Sequence, residues 1–174
     1  MIRVALSGPS QASAEAVLRS VTSGLAADTP FSREVELAAG EDVSRRLQAM
    51  GELPVGAAVI TPGGDLAVPF LIHVVLRSPE EPVGPEAVRA ALRNGLRRAQ
   101  ELGLESLALP PLGTGAGNMD PQEAASVMVP LLGEHLPASA TLREVVILVA
   151  TRYEEEVFLR ALDPAQGRAG PSEA

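Results

Sequence analysis

Leu107-Ala108-Leu109-Pro110-Pro111-Leu112-Gly113-Thr114-Gly115-Ala116-Gly117-Asn118-Met119-Asp120-Pro121 is the stretch on which the fold turns. A short apolar run ends in two prolines, and three glycines then fall on alternate positions. A helix start follows. Asp120 is placed to cap it, Pro121 suits the first helical position, and Glu123 lies three residues after the cap as in a capping box. Ala124, Ala125, Val127, Met128, Leu131 and Leu132 continue with helical spacing. The reading is strand, glycine-rich loop, helix. Glycines let a backbone approach an anion closely, so such a loop presents its N–H groups to phosphate. A tight turn and nothing more is the competing reading of Gly113, Gly115 and Gly117.

Composition narrows the field. The chain has 174 residues, 46% hydrophobic and 21% charged, which suits one domain over 1–163 with a core of its own. A net charge of −8 argues against nucleic acid or an anionic membrane as partner. Cys is absent, which excludes disulfides and thiolate chemistry, and all 14 basic residues are Arg, which excludes Schiff-base catalysis and a phosphate-loop lysine. His73 and His135 are the two histidines, too few for a metal cluster, so no metal or other cofactor is expected. Neither a signal peptide nor a membrane span is expected, and the expected location is the cytoplasm.

Along the chain, Ile2 to Leu6 reads as a strand ending at Ser7-Gly8-Pro9. A helix is expected through Ala16, Val17, Leu18, Val21 and Leu25, stopped by Asp28-Thr29-Pro30. Phe31 to Ala39 then reads as a strand centred on Val35 and Leu37, and Val43 to Met50 as a short helix. Ala57 to Thr61 is a strand ending at Pro62-Gly63-Gly64-Asp65. Phe70-Leu71-Ile72-His73-Val74-Val75-Leu76 is an apolar run of the kind that is buried on both faces of a sheet. Pro85 to Leu102 is a helix whose Arg89, Arg93, Arg97 and Arg98 form a solvated face. The helix after Asp120 ends near Gly133 to Pro137. Glu144 to Ala150 is a further strand, Glu154 to Leu162 a closing helix, and 164–174 a polar tail expected to be disordered. About six strands alternating with helices make a three-layer α/β/α sandwich. Ligands in such folds bind at the carboxyl ends of the strands, where Thr61-Pro62-Gly63 and the Gly113 loop are both expected.

Thr61-Pro62-Gly63, the Phe70–Val75 run with His73, and Leu109-Pro-Pro-Leu-Gly-Thr-Gly-Ala-Gly117 together resemble a macrodomain, the ADP-ribose-binding module. The resemblance covers roughly half the chain, from Leu53 to Leu132, and implies a mixed, mostly parallel sheet between helices. It also implies that Gly113, Thr114, Gly115, Ala116, Gly117 and Asn118 wrap the distal phosphate and ribose. Thr61 would stand at the end of the neighbouring strand, and His73 would be structural. The N-terminal half departs from the family pattern. Where the family carries Gly-Asp-Ile-Thr, with an aspartate for the adenine amino group, this chain has Ser7-Gly8-Pro9-Ser10. Where the family carries Asn-Ala-Ala-Asn at the end of its second strand, the best match is Val35 to Gly40, with Leu37 and Gly40 replacing the asparagines. The family's glycine-rich phosphate loop is compressed to Gly40-Glu41-Asp42-Val43-Ser44-Arg45-Arg46-Leu47, placing Val43 and Ser44 beside the ligand. Arg45 or Arg46 could there replace backbone contacts with side-chain charge.

The resulting expectation is a binding module for ADP-ribose or a related phosphorylated nucleotide metabolite, without strong catalysis and with no assigned catalytic residue. The first alternative is an ADP-ribosyl or O-acetyl-ADP-ribose hydrolase, for which Glu36, Glu41, Asp42 and Asn118 are the available polar groups. The second is a degenerate module that serves protein interaction or oligomerisation.

Overall fold

Ala16–Thr22 lies in the middle of a six-stranded sheet, and the other elements take their places around it. The computed structural model describes residues 1–115 and 119–163. In chain order the described residues form β1 (Ile2–Leu6), a single 3-10 turn (Pro9–Gln11), β2 (Ala16–Thr22), α1 (Pro30–Ala39) and α2 (Glu41–Met50). There follow β3 (Ala58–Pro62), β4 (Phe70–Arg77), α3 (Pro85–Glu101), β5 (Ser106–Leu109), α4 (Pro121–Ala138), β6 (Glu144–Val149) and α5 (Arg152–Leu162). The strand order is β1-β6-β5-β2-β4-β3, parallel throughout except that β3 runs antiparallel to β4. This is the mixed, mostly parallel α/β/α sandwich expected.

Two cores flank the sheet. On one face Val88, Leu92 and Leu96 of α3, Met128 of α4 and Phe158 of α5 pack on Leu18, Ile72, Leu107 and Ile147. On the other, Val35 and Ala39 of α1 and Val43 and Leu47 of α2 pack on Val17, Val21, Leu71 and Val75. Leu71 to Leu76 is buried at every position, as a continuous apolar run in an interior strand should be. At Gly95 an added Cβ would lie 2.6 Å from Leu18 Cδ1, so α3 presses on β2 at a distance that only glycine allows.

The order of the second strand and first helix corrects the sequence reading. The helix expected over Ala16 to Leu25 is β2, and the strand expected over Phe31 to Ala39 is α1. An interior strand buried on both faces carries no period-2 signal, so its apolar residues fit a helical template equally well. The proline was misread too. Thr29 is the N-cap of α1, its hydroxyl accepting from Ser32 N at 3.1 Å, and Pro30 holds the first helical position, so the motif starts a helix rather than ending one. Leu37, expected in a strand core, is 83% exposed on the outer face of α1.

A second correction concerns β3. Because it is antiparallel, Pro62 sits opposite Phe70 at the amino end of β4, whereas the parallel strands β2 and β4 end together near Thr22 and Arg77. Thr61-Pro62-Gly63 therefore lies at the opposite end of the sheet from the carboxyl ends of the parallel strands.

Candidate functional site

The carboxyl ends of β1, β6, β5 and β2 open onto a cavity of about 480 Å³. That volume is in the range of small-molecule sites. One wall is the first turn and a half of α1, with Thr29, Pro30, Phe31 and Glu34 facing in. The opposite wall is Pro110, Pro111, Thr114 and Gly115. Leu6 to Pro9, after β1, and Leu148 to Ala150 with Glu154, after β6, close the far end, and Ser20 of β2 lies in the floor.

Local sequence chemistry builds both walls. Thr29 and Pro30 fix the start of α1, whose positive dipole end lies at the cavity. The Thr29 hydroxyl occupies the Ser32 amide, and Pro30 has no N–H, so Phe31 N–H is the first-turn donor left without an intrahelical acceptor. Across the cleft, Gly113 and Gly115 both adopt positive φ, 89° and 80°. Their surroundings differ. A Cβ on Gly113 would meet Met119 Sδ at 2.5 Å and Val88 Cγ2 at 3.0 Å, so this glycine serves packing against α3. A Cβ on Gly115 would lie 3.6 Å from Thr29 Cβ and 3.8 Å from Pro30 Cδ, so this one faces the other wall. Thr114 Oγ1 donates to Pro111 O at 3.2 Å and holds the turn between them.

Behind the α1 wall runs a buried polar chain that ties it to the sheet. Arg19, 1% exposed, donates from Nε to His73 Nδ1 at 2.8 Å, and from Nη1 to Ser32 O at 3.1 Å and Ser32 Oγ at 3.2 Å. Ser32 Oγ donates in turn to Ser20 O at 2.6 Å. With Nδ1 accepting, His73 is the Nε2–H tautomer, and Nε2 meets Thr61 Oγ1 at 2.9 Å while the Thr61 hydroxyl donates to Pro62 O at 3.0 Å. Burial, followed by the Arg19 charge, pushes the His73 pKa down to about 3, so the ring is neutral. Burial also lowers the Arg19 pKa, opposed by Glu36, whose Oε1 lies 3.7 Å from Nη1.

Among the described residues, two carboxylates and no arginine line the cavity. Glu154 Oε2 accepts from Ala150 N at 2.8 Å while Thr151 Oγ1 accepts from Glu154 N, a capping arrangement at the start of α5. The Glu34 carboxylate lies over the β1 turn, where Oε1 would be 3.1 Å from a Cβ on Gly8.

Of the residues named from sequence, Thr114 and Gly115 line the cavity and Gly113 supports the same loop from beneath. Ala116, Gly117 and Asn118 lie outside the described residues. Thr61 is 2% exposed and bonded to His73, and Val43 is packed in the core under α1 and α2. Neither they nor Ser44 line the cavity, because the segment matched to a phosphate loop is the body of α2. The pairing of Leu37 and Gly40 with strand-end asparagines is likewise overturned, since both belong to α1 and its C-cap. Arg45 bonds to Asp42 at 2.7 Å on the exposed side of α2, and Glu36 turns toward Arg19. The sequence reading missed Ser20, Thr29, Phe31, Glu34 and Glu154. Thr29-Pro30 followed by Ser32-Arg33-Glu34 carried the signal, as a helix start of the same form as Asp120-Pro121.

Comparison with known proteins places this geometry. A family model described as Macro domain matches residues 20–128. An uncharacterized protein of Mycobacterium tuberculosis is 33% identical over 132 residues, 76% of this chain, and the chain spans about a third (36%) of that relative's length. A protein of Pyrobaculum aerophilum is 34% identical over 114 residues, 65% of this chain and 60% of its own. Among solved structures, a mutant Oceanobacillus iheyensis macrodomain with ADPR superposes with a TM-score of 0.83 at 20% identity, covering 91% of this chain and 90% of that one. The Trypanosoma brucei macrodomain in complex with ADP gives 0.83 at 17% identity, covering 93% and 69%.

Proposed function

The chain belongs to the macro domain family, and on that premise we propose that it binds ADP-ribose or a related phosphorylated nucleotide in the cleft between α1 and the glycine loop, without strong catalysis. The observation that carries this reading is the facing of Gly115 and the Thr29-Pro30 helix start across one cavity. A diphosphate set between them meets a helix N-terminus on one side and glycine-loop amides on the other, a combination that holds anions without any lysine. The absence of arginine from the lining among the described residues fits recognition by backbone rather than by side-chain charge. Solved relatives with ADPR and with ADP point to the same ligand class. Of the polar groups weighed for hydrolysis, Glu36, Glu41 and Asp42 do not line the cavity, which leaves binding as the better supported reading.

Calorimetric titration with ADP-ribose and separately with inorganic phosphate tests the reading. The expected result is saturable binding of ADP-ribose that falls about tenfold or more in Gly115→Glu, where a carboxylate enters the anion site. No heat for ADP-ribose with the wild-type protein, or undiminished binding by Gly115→Glu, overturns it.

A further inference from the structure

We infer that Arg19, buried behind α1, supplies the positive potential of the cleft, so that an anion bound there is held in part by a charge it does not touch. The inference rests on the reading of the cleft as the site of a phosphorylated ligand.

The charged side chains that line the cavity among the described residues are Glu34 and Glu154, which repel an anion. The opposing charge lies one layer deeper. Arg19 is 1% exposed and is not part of the lining. Its Nη1 donates to Ser32 Oγ at 3.2 Å, and Ser32 Oγ donates to Ser20 O at 2.6 Å. Ser20 lies in the cavity floor, and the Ser32 amide is held by Thr29 in the cavity wall. The guanidinium thus stands behind floor and wall together, with protein rather than water between it and the cleft, where its field is weakly screened. It adds to the positive end of the α1 dipole.

An anchor for α1 needs hydrogen-bond donors and not a charge, since a neutral amide can also donate to Ser32. Burying a cation is costly unless a counterion sits against it. Here the compensation is thin. Glu36 Oε1 lies 3.7 Å from Nη1, and its side chain is 36% exposed, so water screens it. Asp28 is engaged with Arg77 at 3.0 Å. His73 accepts from Arg19 Nε and carries no charge. Burial outweighs both carboxylates and lowers the Arg19 pKa, as expected of a cation short of partners. An anion in the cleft supplies the missing countercharge. Arg19 is in this sense a positioning residue, acting on the ligand through Ser32 and through its field.

The test follows, by calorimetry at fixed ionic strength, the affinity for ADP-ribose and separately for inorganic pyrophosphate, a bare anion. Arg19→Met should weaken both by about fivefold or more. Glu36→Gln removes the opposing carboxylate outside the cavity and should tighten both by about threefold or more. Glu41→Gln, the same change of charge at the exposed start of α2, should move neither by more than about 1.5-fold. A merely structural anchor predicts no gain in Glu36→Gln. Unchanged or weaker binding by that variant therefore overturns the inference, even where Arg19→Met fails to fold, as does an equal gain in Glu41→Gln. If pyrophosphate follows the expected pattern and ADP-ribose does not bind, the nucleotide reading falls and the inference stands. Binding of neither by the wild type sinks both.

Discussion

Arg19 and His73, both fully covered, share a 2.8 Å hydrogen bond in which the guanidinium donates from Nε to Nδ1 of the ring. Through Ser32 the same guanidinium grips the first turn of α1, so the cleft wall is anchored from inside the protein. Removing either partner strands the other in a dry site. A double-mutant cycle of Arg19→Met and His73→Phe, measured by urea unfolding, should show a coupling of about 1–3 kcal/mol. Additive effects would mean that the bond contributes nothing.

Protonating His73 opposes the fold. Its folded pKa of about 3 lies below the ordinary value of 6.5, so between those values the unfolded chain binds more protons. Stability is therefore complete above 6.5 and is lost as the pH falls toward 3, with a slope of at most about 1.4 kcal/mol per pH unit. Asp28, beside Arg77, has the opposite sign. Burial raises its pKa above 3.8, so its contribution weakens as the pH rises from there, and comparison of wild type with His73→Gln separates the two. Urea midpoints of wild type and His73→Gln across this window should diverge in slope. His135, also lowered by burial, adds a smaller slope in the same direction, which His135→Gln removes separately.

Gly113 and Gly115 should separate stability from binding. Gly113→Ala combines a φ of 89° with a Cβ placed 2.5 Å from Met119 Sδ, and should cost about 1–3 kcal/mol in chemical denaturation. Gly115→Ala meets only ordinary contacts and should register mainly as the φ strain, about 1 kcal/mol. If both variants melted alike, the distinction between a packing glycine and a cleft glycine would be lost.

The Thr29 cap bears on both properties. Thr29→Ala deletes the acceptor for Ser32 N and should lower stability by about 1 kcal/mol, while Thr29→Ser retains most of it. Because Thr29 faces Gly115, the alanine variant should also weaken ligand binding in the same titration.

Leu37 discriminates strand from helix at residues 31–39. On α1 it is 83% exposed, so Leu37→Glu should change stability by no more than about 0.5 kcal/mol. A loss of several kcal/mol would place it in a core strand after all.

The sheet, its layers and the loop after β5 were legible because Phe70–Leu76, Val145–Val149 and Asp120-Pro121 each carry a local signal that matches their place. The stretch from Ala16 to Ala39 was not, and the site suffered for it. β2 has partners on both sides, so its polarity pattern reflects tertiary burial, and Arg19 reads as surface until His73 and Ser32 are seen around it. Moving the helix start to Thr29-Pro30 then moved the cleft wall from Val43 and Ser44 to Thr29 and Phe31. The direction of β3 is a matter of topology that Ala58–Pro62 does not encode locally, and so Thr61 was assigned to the wrong end of the sheet.

The pairing of Ile2–Leu6 with Val145–Val149 sets an order of events during synthesis. Among the described residues β1 is an edge strand paired with β6, so a nascent chain that has not yet emitted Glu144 lacks that partner for it. The strand therefore waits for the intervening chain to be synthesised, at about 5–20 residues per second, before it can pair. The Gly8-Pro9 turn and the Leu148–Ala150 segment, which close one end of the cleft, come together only after β6 is made. Until β6 has been made, the cleft therefore lacks the end that Leu148–Ala150 closes.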